Sequence, residues 1–242
     1  MPSEMLKLIE LHDASNIAAV IVEPMSGSAG AIVPPKGYLQ RLRKICNEHG
    51  ILLVFDEVIT GFGRTGKAFA SQSYDVTPDI ITMAKALTNG AIPMGAVAVK
   101  DEIYDEVTNA SPENAIEFFH GYTYSGHPAA CAAGIAVQKI YEEEQSFDKA
   151  ASLSDYFLDG LFSLQDLDVV KDIRGYGLMG GVELHPKGTP GALGTQTQKD
   201  LFWNGMHVKF TGDVGILAPP FASEKEHIDE MIDKLRMTFE AI

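Results

Sequence analysis

The chain has 242 residues, 45% hydrophobic and 21% charged, with a formal net charge of −14. These values fit a soluble globular protein of one large domain or two small ones, and the acidic surplus repels nucleic-acid phosphates and anionic membranes. No apolar run is long enough to span a bilayer. The amphipathic start, MPSEMLKLIELHDASN, is unlike a signal or transit peptide. Cys46 and Cys131, far apart and outside any CxxC, read as free thiols of a reducing, cytoplasmic compartment.

Residues 17–23, IAAVIVE, form a continuous apolar run closed by Glu23. Residues 36–49, KGYLQRLRKICNEH, place apolar side chains at helical spacing and stop at Gly50. Residues 51–56, ILLVFD, make a second run closed by Asp56. Residues 79–83, DIITM, make a third, with Lys85 just beyond, and residues 94–99, MGAVAV, a fourth. Apolar runs separated by helical patterns predict an α/β fold whose mostly parallel sheet is buried on both faces and flanked by helices. Right-handed crossovers return each strand in the same direction. The strand ends then share one edge, where such sheets bind ligands. Glu23, Asp56 and Lys85 each sit at or just past a strand end, about one strand–helix–strand unit apart. Three ionisable groups are thereby expected on one edge.

Helical pattern resumes over residues 127–144, after the SGHP turn, and again over 148–164. Residues 169–174 and 178–184 read as strands around GYG, and HPKGTPGALG as a loop. Next come a helix over 195–204 and short strands over 206–210 and 215–218. A last helix starts at Ser223 with Glu226 as its capping-box partner. This order predicts a smaller α+β lobe over residues 146–242, following a larger portion over residues 1–145.

From Gly61 the chain spells GFGRTG and continues as G-x4-G-K, yet neither nucleotide motif is complete. A Walker loop needs Ser or Thr after its Lys to hold magnesium, and Ala68 follows Lys67. A dinucleotide fingerprint needs its glycines directly after a strand and an acid at the end of the next one. Here EVIT intervenes, Asp79 begins a strand, and Asp56 and Glu57 stand where a phosphate would arrive. The segment is expected to be a mobile glycine loop at a rim or interface.

A carboxylate at the buried end of an apolar strand is costly unless a cation pairs with it. Lys85 could supply that cation to Asp56, and spacing alone leaves this reading open beside a second. The second is a pyridoxal phosphate site, which needs a lysine for its imine and a carboxylate to keep a proton on the ring nitrogen. A charge-assisted hydrogen bond of that kind contributes ~1.5–3 kcal/mol, about one to two pKa units toward the protonated ring. His120 and His127 lack metal-ligand partners at useful spacing and read as structural, so no metal is expected.

Longer blocks carry more than spacing does. VFDEVITGFGRTG, DIITMAKALTNGAIPMGAV and FFHGYTYSGHPAACAAG resemble the class III, fold-type I pyridoxal-phosphate aminotransferases. VEPMSGSAGAIVPPKGYLQRLRKICNEHGILLVFDEV and FTGDVGILAPPF narrow the resemblance to the branch acting on ω-amino acids with pyruvate, of the beta-alanine–pyruvate type. It runs over nearly the whole chain. It implies that Lys85 holds the cofactor covalently and then moves the substrate proton, and that Asp56 binds the pyridinium nitrogen. It places Glu23 in the network that positions the ring and Val58 against a ring face. Thr123, in GYTYSGHP, would donate its hydroxyl to the cofactor phosphate of the other subunit of a homodimer or dimer of dimers. Residues 61–66 would lie near the dimer interface. The implied partners are an amine donor and a keto-acid acceptor.

Two departures bear on function. Family members carry a further N-terminal half, holding the glycine/serine turn for the cofactor phosphate, an aromatic stacked on the ring and several sheet strands. This chain starts just before AAVIVEP and is expected to be the C-terminal half to two-thirds of such an enzyme. An apolar sheet edge would then be open, and cofactor binding by the chain alone weak. Second, HVKFTGD puts Lys209 where the ω branch carries a carboxylate-clasping arginine, so a point charge replaces a planar fork. Lys209 is the expected substrate-binding residue. Ile216 stands where ornithine- and GABA-type relatives carry their carboxylate arginine, which favours pyruvate over 2-oxoglutarate as acceptor. The competing readings are a truncated paralogue that dimerises without catalysing, a related pyridoxal-phosphate aminomutase or decarboxylase, and a nucleotide-binding domain.

Overall fold

The computed structural model describes residues 2–242 apart from Glu117, Phe119 and Gly121. Its first part holds helix α1 (Pro2–His12), strand β1 (Ala19–Val22), helix α2 (Tyr38–His49), strand β2 (Leu52–Asp56), the short helix α3 (Ala70–Ser73), and strands β3 (Ile80–Met83) and β4 (Ala96–Val99). Leu39, Leu42, Ile45 and Cys46 recur at helical spacing along α2 and are buried. The helix stops at Gly50, whose φ of 66° is the left-handed cap that glycine adopts without strain. These side chains pack with Ile9 of α1 and with Leu53 and Phe55 of β2 in one core.

The strands lie in the order β1-β2-β3-β4. β1, β2 and β3 are parallel and β4 runs antiparallel to β3, the mostly parallel sheet that was expected. The connection explains the reversal. Residues 84–95 hold only a 3₁₀ turn, Lys85–Leu87, and a parallel return needs a longer crossover, usually with a helix. The sheet is not buried on both faces, against expectation. α1 and α2 cover one face; Ile21 on β1 is 65% exposed and Val97 on β4 is 63% exposed. Both belong to edge strands.

The remaining elements are α4 (Asp101–Asn109), α5 (Pro128–Glu143), α6 (Ser146–Phe162), β5 (Val170–Tyr176), β6 (Met179–Leu184), α7 (Ala192–Trp203), β7 (Lys209–Thr211), β8 (Val214–Leu217) and α8 (Lys225–Glu240). α4 has no counterpart among the predicted elements, although Asp101 and Glu102 in its first turn suit a helix N-terminus. The second sheet has the order β5-β6-β8-β7 and is antiparallel throughout. Phe157 and Leu161 of α6, Leu201 of α7, and Leu235 and Phe239 of α8 close a core over it. α7 begins earlier than residue 195 because its cap is remote. The Asp213 carboxylate, on the β7–β8 turn, accepts from the N–H of Gly191 at 3.0 Å and of Gly194 at 2.8 Å. α8 begins after Glu224, and His227 takes the capping-box place expected of Glu226. The Glu224 N–H donates to His227 Nδ1 at 3.0 Å.

Asp79, just ahead of β3, is buried at 8% exposure. It accepts from the Leu53 N–H and pairs with Arg43 of α2 and with Lys100, each at 2.7 Å. Burial pushes its carboxyl upward, but the Leu53 N–H and the two cations outweigh that and hold it below the usual carboxylate range. A depressed folded pKa means stability that is complete above the unfolded value of ~3.9 and lost as pH falls through the folded value. Asp79→Asn leaves Arg43 facing a neutral amide. We expect a loss of about 3 kcal/mol at neutral pH, with a shallower further loss below about pH 4, in urea unfolding followed by circular dichroism.

Candidate active site

The sheet register decides which groups meet. Val22 pairs with Phe55, and Asp56 with Thr82. Glu23 therefore leaves β1 beside Asp56, and Lys85 lies just past the end of β3. All three groups occupy the C-terminal edge of the parallel strands.

Asp56 is half-buried. Its Oδ1 accepts from the Val58 N–H at 3.1 Å, while Oδ2 has no partner among the described residues. Val58, half-buried, is the next turn residue but one. Lys85 is exposed, with φ of 43°; a side chain in this left-handed region costs about 1–2 kcal/mol. Among the described residues its ammonium has neither hydrogen bond nor ion pair, so the Asp56–Lys85 ion pair is not formed. Glu23 is half-buried, and its Oε2 accepts from the Gly27 N–H at 2.9 Å, fastening the turn after β1.

The loop beyond Glu23 docks on the second sheet. Arg174 Nε donates to Gly30 O at 2.8 Å, and Thr211 Oγ1 to Ser28 O at 3.0 Å. Lys209 Nζ lies 3.4 Å from Ser28 Oγ. Lys209 thus reaches the loop that Glu23 begins. Its cross-strand partner is Ile216, so the two residues are direct neighbours. Thr123 is exposed in the turn before α5, while Phe119 and Gly121 of the same block lie outside the described residues. His127 caps α5, its Nδ1 accepting from the Ala130 N–H at 3.4 Å, which is the structural role expected of it.

The glycine loop is not at a rim. Gly61, Phe62, Gly63 and Thr65 are buried, and the loop is the link between β2 and β3. No long helix makes that crossover; the Glu57 carboxylate closes it instead. Glu57 is 0% exposed and accepts from Thr60 Oγ1 at 3.0 Å and from the N–H of Ala70 at 2.6 Å and Ser71 at 2.8 Å. Arg64 donates to Leu178 O at 3.0 Å and Pro219 O at 2.7 Å, and lies over the Phe221 ring at 4.7 Å. Burial draws its pKa down to about 10, still charged at neutral pH. The loop is therefore a buried strut between the two sheets. Sequence reasoning missed Glu57 and Arg64 in this role; the signal was a second acid and an arginine set among glycines.

The blocks that carry this edge and strut are those of one family, and the class-III aminotransferase model matches residues 2–239. The chain belongs to the class-III aminotransferases. As a member, it is 51% identical over 237 residues to an omega-aminotransferase of Caulobacter vibrioides, covering 98% of this chain and 54% of the relative. It is 52% identical over 235 residues to a beta-alanine–pyruvate aminotransferase of Pseudomonas aeruginosa, covering 96% and 52%. The solved (S)-enantioselective omega-transaminase of Thermomicrobium roseum superposes with a TM-score of 0.93 at 37% identity, covering 99% of this chain and 54% of that one. The chain thus has the α/β fold of its family. It spans about half the length of the curated relatives it matches. No helix among the described residues is long and apolar enough to cross a membrane.

Proposed function

We propose that the chain carries the reactive half of a transaminase that moves an amino group from an ω-amino acid or related amine to pyruvate with pyridoxal phosphate. One observation supports this most. A lysine amine without a partner among the described residues, on a strained backbone, shares a sheet edge with a half-buried carboxylate that keeps one oxygen open among those residues. A group that needs one amine and one acceptor fits that pair.

Bound there, pyridoxal phosphate supplies a carbonyl for condensation with amines and a ring that draws electrons from the substrate carbon. Lys85 would hold that carbonyl covalently through Nζ and, when released, carry a proton to and from the substrate carbon. Asp56 Oδ2 would accept from the ring N–H and keep it protonated. Glu23, tied to Gly27, would border the ring, and Val58 would pack on one face. Lys209 would attract a substrate carboxylate from the second sheet. In a homodimer, Thr123 would serve the phosphate of the partner's site. Residues 1–145 and 146–242 would act as the large and small lobes of this cytoplasmic enzyme; the free Cys46 and Cys131 suit a reducing compartment.

Alanine formation from beta-alanine and pyruvate is the expected activity. 2-Oxoglutarate should be a poor acceptor, since Ile216 beside Lys209 offers no second cation. Equal turnover with both acceptors, assayed with pyridoxal phosphate present, would contradict the pyruvate assignment.

A further inference from the structure

The strained backbone of Lys85 persists only if its surroundings over-determine it. Its own turn is small. Leu87 N–H donates to Ala84 O at 2.9 Å and Thr88 N–H to Lys85 O at 3.3 Å, and a single 3₁₀ turn does not hold itself. The grip comes from α5. Tyr141 donates its hydroxyl to Ala86 O, the carbonyl next to Lys85, at 2.8 Å. α5 also lies close to the turn along its length, since a Cβ added at Gly134 would come within 3.8 Å of Leu87 O.

Tyr141 is itself held. It is 7% exposed and its ring meets Phe62 at 6.5 Å, Phe147 at 5.3 Å and Phe221 at 6.1 Å between centroids. Phe62 belongs to the glycine loop, Phe147 to α6, and Phe221 to the segment after β8 that Arg64 covers. Burial raises the Tyr141 phenol and Arg64 pulls the other way, leaving it raised. The hydroxyl is a protonated donor throughout the neutral range.

We infer that Tyr141 is a positioning residue for Lys85: its hydroxyl fixes the Ala86 carbonyl, and the aromatic cluster around it ties the lysine's turn to the glycine loop and the second sheet. It acts through Ala86 and touches no reacting atom. The inference deepens the proposed function and rests on it for the role of the amine, though not for the hold on the backbone.

Tyr141→Phe, made in the full chain, deletes the hydroxyl and keeps the ring. Amide exchange over residues 84–90 should quicken about fivefold, the size of one lost hydrogen bond, with β1 and β2 unchanged. Borohydride trapping of pyridoxal phosphate on Lys85 should fall by a similar factor, about fivefold, while labelling of the exposed Lys44 on α2 stays constant. Tyr141→Ala should add a drop in unfolding midpoint that Tyr141→Phe lacks. Parent-like exchange and trapping in Tyr141→Phe would overturn the inference, as would equal changes at Lys85 and Lys44. Were the parent to trap nothing on Lys85, the proposed function would fail and the exchange rates would still decide whether Tyr141 holds the turn.

Discussion

Lys85→Ala should abolish the borohydride-reducible attachment of pyridoxal phosphate and lower transamination on the order of 10⁴-fold or more, the upper range for losing a positioned proton carrier. Both losses follow from one amine, because the proposed chemistry uses it first as the covalent tether and then as the proton carrier. No other lysine described near the edge can replace it. Lys100 is committed to Asp79 at 2.7 Å, and Lys209 sits on the second sheet beside Ser28. The fold should not notice the change. Lys85 is exposed, its amine has no partner among the described residues, and alanine carries the same Cβ into the same left-handed backbone. Stability should therefore stay within about 0.5 kcal/mol of the parent. Mass spectrometry of reduced, digested protein reads the attachment, and alanine formation reads turnover. A reducible adduct that survives in Lys85→Ala would place the reactive amine elsewhere and end the proposal.

The place of Lys85 at the strand edge was legible because its signal is local. An apolar run closed by a charge marks a strand and the edge it points to, and Glu23, Asp56 and Lys85 all carry that mark. The direction of β4 was not legible from its own residues. It depends on the link over residues 84–95 containing a 3₁₀ turn in place of a crossover helix. The start of α7 depends on Asp213, which reaches it from the β7–β8 turn. Arg64 is the extreme case. Its side chain bonds carbonyls 114 and 155 positions away, so nothing around GFGRTG separates a buried strut from a mobile rim. The resemblance named the family from those letters, but the burial of the loop had to come from the packed structure. Tyr141 is similar: within its helix it reads as one more core aromatic, and only the distance to Ala86 O distinguishes it.

The strut makes its own demand, and Gly177→Ala should destabilise the protein by about 4 kcal/mol, a loss reserved for strained or overpacked positions. Gly177 turns the chain between β5 and β6 at φ 61°. A Cβ there would stand 2.5 Å from Arg64 O and 2.7 Å from Thr65 Cα. Those are backbone atoms, so no rotamer change relieves the clash, and the adjacent Leu178 N–H bond to Arg64 O, 3.0 Å long, would have to stretch or break. Gly188→Ala is the matched control. Gly188 has φ of 77° with nothing within 4 Å of its added Cβ, so only backbone strain of about 1–2 kcal/mol applies. The difference between the two variants in urea unfolding isolates the contact between the β5–β6 turn and the glycine loop. Equal losses would mean that the turn does not press on Arg64, and the loop would then lose its role as the member joining the lysine's sheet to the second one.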